Sequence, residues 1–175
     1  AYSTDKGRTF QLLNGGAPVI PFQGRDVDPK GTERDPKIFW HEESQKWITV
    51  LWMGESTKGL VRFFSSDDLQ NWKFESDIRK KWAHECFELF KLPVLDANGD
   101  LPKTPKEKWV LFDGNLDYEV GTFDGKTFIN EQKVRNHLTG HWNAAQTFND
   151  MPDGRRVLIG WLKKAPFFEK KMPFS

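Results

Sequence analysis

Three stretches of the chain repeat one pattern, and that repetition limits the fold more than any other feature. They are YSTDKGRTF at 2–10, FSSDDLQNWKF at 64–74 and VGTFDGKTF at 120–128. Each joins a strand ending in small or hydroxyl residues to an aspartate, a polar turn and an aromatic. The carboxylate accepts backbone N–H groups inside the turn, and the aromatic folds back over the hairpin. From Ser3 to Ser65 to Gly121 the spacing is 62 and then 56 residues. Four strands of about five to eight residues, with their loops, fill that length. Units of this size, each closing on an outer hairpin, predict a β-propeller. A β-sandwich is the alternative, since it also offers many short strands at regular spacing.

The rest of the chain reads the same way. KIFW, KWITVLWM, LVRFFSS, KWVLFDG, YEVGTFDG and RRVLIGWL are β-rich runs bounded by Gly, Asn, Asp, Pro or Lys. Asp124-Gly125, Asn98-Gly99 and Asp153-Gly154 mark turns between antiparallel strands. Helical periodicity is confined to short segments such as 77–84. No linker divides residues 1–175, and the segment 96–108, with Pro102 and Pro105, reads as an elaborated turn.

Charge is almost balanced, with 26 basic and 25 acidic residues, which argues against a dedicated nucleic-acid or membrane-surface protein. Eight Trp and fifteen Phe supply flat, weakly polar faces that suit sheet cores and also the apolar faces of sugars. Cys86 stands alone, so no internal disulfide forms. No apolar run approaches the roughly 20 residues that span a bilayer. No signal peptide is visible at AYSTDKGRTF.

Two acidic residues stand where a propeller's inner strands begin. Asp35 precedes KIFW and Glu85 precedes CFELFKL, 50 residues apart. That separation predicts corresponding places in adjacent blades. Arg34 beside Asp35 favours its ionised form, whereas the neighbours Trp82, Ala83, Cys86 and Phe87 predict a desolvated Glu85 that keeps its proton. A carboxylate near a carboxylic acid is what glycoside hydrolysis uses. The same residues also suit strand capping or solvation.

ERDPKIFWHEESQKWITVLW resembles the Arg-Asp-Pro motif of glycoside hydrolase family 32, the levanases, inulinases and invertases. HECFELFKL is similar to that family's Glu-Cys-Pro-Asp-Leu-Phe motif. AYSTDKGRTF, KWVLFDG, YEVGTFDGKTF, AAQTFNDMPDGRRVLIGW and MPFS resemble further segments in the same order. The resemblance spans nearly all of residues 1–175 and implies an incomplete five-bladed β-propeller of four-stranded antiparallel blades. It implies hydrolysis of β-fructosyl linkages with retention, on a levan, inulin or sucrose type of carbohydrate, without a cofactor. Carried over by position, Asp35 is the transition-state stabiliser, Arg34 orients it and helps bind the sugar, and Glu85 is the general acid/base. Cys86 and Glu88 support Glu85, and Trp142 borders the channel or packs in the core. An extracellular or periplasmic location is expected from the family.

The sequence departs from the family at two levels. Phe87 and Glu88 replace the proline and aspartate of the acid motif. The nucleophile's Asn-Asp-Pro-Asn-Gly motif is absent, and Asp28-Pro29 lacks its context. The first blade and the C-terminal sandwich therefore read as missing, and the expectation is a fragment inactive by itself, completed by a partner or a missing segment. His137 and His141, at i and i+4 in a probable loop, do not make a metal site. KKAPFFEKK at 163–171 reads as a solvated basic loop. The rival functions are a non-catalytic fructan-binding remnant, a sialidase-like propeller and an interaction protein. A sialidase needs an arginine cluster and a tyrosine nucleophile, for which Tyr2 and Tyr118 alone are present.

Overall fold

The computed structural model describes residues 1–54, 57–132, 135–136, 142–148 and 151–162. Strands β1 (Arg34–His41), β2 (Lys46–Trp52), β3 (Leu60–Ser66) and β4 (Lys73–Arg79) form an antiparallel meander in chain order. A second meander follows as β5 (Glu88–Pro93), β6 (Glu107–Phe112), β7 (Asp117–Phe123) and β8 (Phe128–Asn130), with β9 (Arg135–Asn136) also pairing β7. Strands β10 (Trp142–Phe148) and β11 (Val157–Leu162) make a third antiparallel pair. Ahead of β1 lie a Tyr2–Gln11 bridge and one 3-10 turn, Leu13–Gly16. Apart from that turn, the described residues are all-β, in antiparallel sheets of four, five and two strands.

The helical candidate at 77–84 is not a helix. Strand β4 runs through Arg79, and Ile78 pairs with Val61 while packing on the core between the two meanders. Burial of that side chain at strand periodicity overrides a short stretch of helix-compatible residues.

The repeated aspartates behave as the sequence predicts. Asp5 Oδ1 accepts the amides of Arg8 and Thr9 at 3.0 and 2.9 Å, and Asp68 Oδ1 those of Gln70 and Asn71 at 2.9 and 2.7 Å. Asp124 Oδ1 accepts from Lys126 and Thr127, both at 2.9 Å. The Thr9 hydroxyl, followed by the Thr9 amide, pulls Asp5 down to about 2. The Asn71 and Gln70 amides likewise hold Asp68 well below the usual carboxylate range. A depressed folded-state pKa makes the Asp5 turn's contribution complete above about pH 4 and lost as pH falls through about 2.

The main core lies between the first two meanders. Ile48, Val50 and Trp52 of β2 and Phe63 of β3 meet Phe87, Leu89, Trp109, Leu111 and Phe123. Leu51 and Met53 point to the opposite face, where Ile20, Val27 and Trp72 cover them. Burial on both faces explains why KWITVLWM is continuously apolar rather than alternating. The second meander's far face buries Phe90 and Phe112 with Leu116 and Ala145, which leads the packing on to β10.

A polar clasp crosses all three sheets inside this apolar stack. Glu88, fully buried on β5, receives Lys37 Nζ of β1 at 2.6 Å and the Thr147 hydroxyl of β10 at 2.7 Å. Lys37 Nζ also donates to the Thr147 carbonyl at 3.2 Å. The glutamate in place of the family's aspartate thus reaches to both neighbouring sheets at once.

Candidate active site

The same backbone irregularity stands at or just before the start of β1, β5 and β10. Asp35, Cys86 and Ala144 have φ of 56, 58 and 50°, left-handed values that non-glycine residues rarely adopt. The pairing shifts register between Arg34 and Lys37 on β1 and between Asn143 and Gln146 on β10. In a regular strand, residues 34 and 35 would face opposite sides of the sheet. Here the bulge sends both toward the loop that leads into β5. Such twists cost about 1–2 kcal/mol each and cluster where side chains must be re-aimed.

Arg34 is the centre of the site. Its Nε and Nη2 both donate to Glu85 Oε2, at 3.0 and 2.7 Å, and Nη1 donates to the Thr32 carbonyl at 3.0 Å. The guanidinium lies over the Trp52 indole, 4.3 Å from its centroid, and Trp52 in turn meets His84 edge-on at 5.5 Å. His84 Nε2 stands 3.6 Å from Glu85 Oε1. Asp35 Oδ2 is 3.7 Å from Arg34 Nε and accepts the Cys86 amide at 3.3 Å. Asp35 and Glu85 thus join one cluster with Arg34 between them, and all three side chains keep partial access to solvent.

Two expectations need correction. The 50-residue spacing of Asp35 and Glu85 is not the repeat. The structure matches residues 51 apart, since Arg34 meets Glu85, Asp35 meets Cys86 and Lys37 meets Glu88. The shared twist falls on Asp35 and Cys86, so Glu85 is the counterpart of Arg34. Nor is Arg34 chiefly the partner of Asp35, with Glu85 walled by apolar groups. The guanidinium serves Glu85, while Phe87 and Trp82 turn into the core between the sheets.

Cys86 packs behind the site, its Sγ 3.6 Å from Asp35 Oδ2. Burial, with the nearby Asp35 and Glu85 charges, pushes its thiol up to about 12. A thiol this hard to ionise is no nucleophile near neutral pH. The expected result is that iodoacetamide at pH 8 leaves Cys86 unmodified in the folded chain and labels it after denaturation, as read by mass spectrometry.

Asp28 is also accounted for. It is buried and accepts the amides of Thr32 and Glu33, the latter at 2.9 Å, which fixes the approach to Arg34. Of the histidines, His41 is enclosed by Trp109 and Phe123, with centroids 5.3 Å away in each case, and burial lowers its pKa. His137, His141 and the 163–171 segment lie outside the described residues. Trp142 opens β10, but its side chain lies outside them too. The tyrosines that a sialidase would need are elsewhere. Tyr2 bonds Gln11, and Tyr118 packs on the Phe90–Phe112 face.

Residues that sequence reasoning passed over complete the site. Trp52 and His84 floor it, and Asn143, beside the left-handed Ala144, stands on β10 at the position that corresponds by backbone to Arg34 on β1. The signal for Asn143 was present, because it immediately precedes a short, non-glycine residue at the start of a strand, as Arg34 and Glu85 do.

The chain matches the model of the glycosyl hydrolases family 32 N-terminal domain over residues 1–173. It is 36% identical to a levanase of Bacillus subtilis (strain 168), over 93% of the chain and 25% of that protein. It is 32% identical to an extracellular exo-inulinase of Aspergillus niger, over 93% of the chain and 33% of that protein. Among solved structures it superimposes on exo-inulinase from Aspergillus awamori with TM-score 0.74 and 30% identity, over 93% of the chain and 35% of that one. A fructofuranosidase from Schwanniomyces occidentalis complexed with fructose gives TM-score 0.74 and 28% identity, over 92% and 31%. The chain spans about a quarter to a third of the length of these relatives.

Proposed function

The chain belongs to glycoside hydrolase family 32, and we propose that residues 1–175 supply the acid/base half of a β-propeller fructosidase acting on levan, inulin or sucrose. In this reading the two meanders and the β10–β11 pair are successive blades of the family's five-bladed propeller. The carrying observation is the cluster at the heads of neighbouring sheets, where Arg34 bonds Glu85 and stands 3.7 Å from Asp35. Such a cluster presents one carboxyl group as proton donor and another as a hydroxyl-gripping anion.

Glu85 protonates the leaving glycosidic oxygen and later deprotonates the attacking water. Its Oε2 already accepts two guanidinium N–H groups, so the mobile proton belongs on Oε1, the oxygen facing His84. Asp35 takes hydroxyls of the fructosyl ring, and its ionised form stabilises positive charge developing at the anomeric carbon. Cys86 backs Asp35, and Glu88 ties β5 to β1 and β10 behind the site. Retention requires a nucleophilic carboxylate about 5–5.5 Å from the acid. The family's motif for it, Asn-Asp-Pro-Asn-Gly, is not in these 175 residues. The work is placed outside the cell, in keeping with a relative named as an extracellular exo-inulinase.

Calorimetry and a fructose-release assay on residues 1–175 test this. The expected result is binding of levan or inulin oligosaccharides without turnover. Arg34→Leu should weaken that binding at least about tenfold, since one charge-assisted hydrogen bond is worth more than the 1.4 kcal/mol involved. Absence of any fructosyl binding, or binding indifferent to Arg34→Leu, counts against the site. Turnover by these residues alone would show that the nucleophile lies among them.

A further inference from the structure

Asp113 ends the β6 run and is fully buried. Its Oδ2 accepts the His84 amide at 3.1 Å, and its Oδ1 accepts the amides of Asn115 and Asp117 at 3.0 and 3.2 Å. The adjoining Gly114 donates its N–H to the Glu85 carbonyl at 2.8 Å, and its own carbonyl accepts the Ala145 amide at 3.3 Å. A Cβ at Gly114 would stand 3.0 Å from Cys86 Cβ and 3.2 Å from both the Glu85 carbonyl and the Ala144 nitrogen. This corner joins the His84–Cys86 loop to β10, and a Cβ at 114 would need its neighbours to give by a few tenths of an ångström.

The first meander shows what the position needs for folding alone. There Arg34 pairs with Trp52, as Glu85 does with Gly114, so the counterpart of Asp113 is Leu51, a buried apolar residue. A carboxylate in that place opposes folding near neutral pH. Burial raises Asp113 to about 6 against the pull of three amides, with Asp117 adding to the rise. The folded-state value lies above the unfolded one, so the protonated acid is the form that folding favours. That stability is full below about pH 4 and lost as pH climbs through about 6. The titratable groups about Asp113 are Asp117 on β7 and His84 and Glu85 on the loop before β5. From β10 the residues at this corner are Ala144 and Ala145.

We propose that Asp113 is a positioning residue, which holds the backbone of His84 and Glu85 so that the Glu85 carboxyl meets Arg34. The Glu85 side chain leaves a loop of left-handed geometry and has no strand ladder beneath it until Glu88. The His84 amide on Asp113 and the Glu85 carbonyl on Gly114 are the two fixed points of that loop. This role deepens the acid/base reading of Glu85 and rests on it.

The test compares parent, Asp113→Asn and Asp113→Leu by carbon-13 carboxyl NMR of the whole chain, with thermal melts at pH 7. In the parent, the Asp113 carboxyl carbon should titrate with a midpoint near pH 6. In both variants that midpoint should vanish, and the proton affinity of Glu85 should change about threefold or more. Asp113→Leu, which leaves the amides of His84, Asn115 and Asp117 without this acceptor, should melt below Asp113→Asn, whose side-chain oxygen can still accept from them. In a form that releases fructose, Asp113→Asn should lower kcat about 10–100-fold, displace the acidic limb of the pH profile and leave KM within about twofold. A parent Asp113 carboxyl without a midpoint near pH 6, or a Glu85 titration unchanged in folded variants, overturns the proposal. If Asp113→Leu fails to fold, the comparison of parent with Asp113→Asn decides. If no form binds or cleaves a fructoside, the fructosidase reading falls, and the NMR comparison still decides the role of Asp113.

Discussion

Glu85→Gln should reduce fructose release about 10²–10⁴-fold in a form of the protein that cleaves levan or inulin. The substitution isolates the chemistry. Glutamine keeps an oxygen to accept the Arg34 N–H groups that now sit at 2.7 and 3.0 Å, so fold and site geometry should survive. What disappears is the ionisable proton for the departing oxygen. The loss should therefore depend on the leaving group. An aryl fructoside whose phenolate departs without protonation should lose far less than a fructan whose sugar alkoxide must be protonated. KM should change little, because glutamine occupies the same volume beside the substrate. A loss below tenfold on the fructan, or the same loss on both substrates, would take the acid role away from Glu85.

Glu88→Ala should cost about 3–5 kcal/mol of folding stability, the largest effect expected of any single replacement outside the aromatic core. Glu88 is wholly enclosed and answers Lys37 at 2.6 Å and the Thr147 hydroxyl at 2.7 Å. Removing it strands an ammonium group that is itself mostly covered, and breaking one half of such a pair is costly even where the intact pair contributes little. Against a usual stability of about 5–15 kcal/mol, that is a large share. A domain of this size should melt roughly 6–20 °C lower. The paired replacement Lys37→Met with Glu88→Leu should recover most of the loss, because apolar groups of similar volume then fill the space. If Glu88→Ala melts within about 2 °C of the parent, the clasp does not secure the three sheets.

The sheets were legible in the sequence because their chemistry is local. Asp5, Asp68 and Asp124 mark turns by accepting amides within four residues, which spacing alone reveals. The continuous apolar run from Trp47 to Met53 likewise announces a strand buried on both faces. The pairing of site residues was misread by one position. Asp35 and Glu85 are the conspicuous acids, but the bulge between Arg34 and Lys37 sends the side chains of Arg34 and Asp35 to one side. A sequence read as simple alternation then assigns the wrong partner. Arg34 looked like the companion of its neighbour in the chain, whereas its guanidinium bonds a residue 51 positions away. Asp113 was hidden for a different reason. Only the fold shows that the residue after WVLF lies under His84. A buried acid where the first meander has leucine becomes informative only after the two sheets are superimposed.

The two ends of each meander are not equivalent. Arg34, Glu85 and Asn143 open their strands at one end, together with the β6–β7 corner. The β5–β6 connection leaves from the other, where Val94 N–H meets the Lys106 carbonyl at 2.7 Å and Asp96 Oδ1 closes a tight turn on Asn98 and Asp100 at 2.8 and 3.0 Å. Chain length and site geometry are thereby uncoupled. The β5–β6 connection can grow, shrink or carry a grafted epitope or fluorophore at Asn98–Gly99 while the opposite rim keeps its shape, which makes that tip the natural handle for immobilising the protein with its Arg34–Glu85 side free.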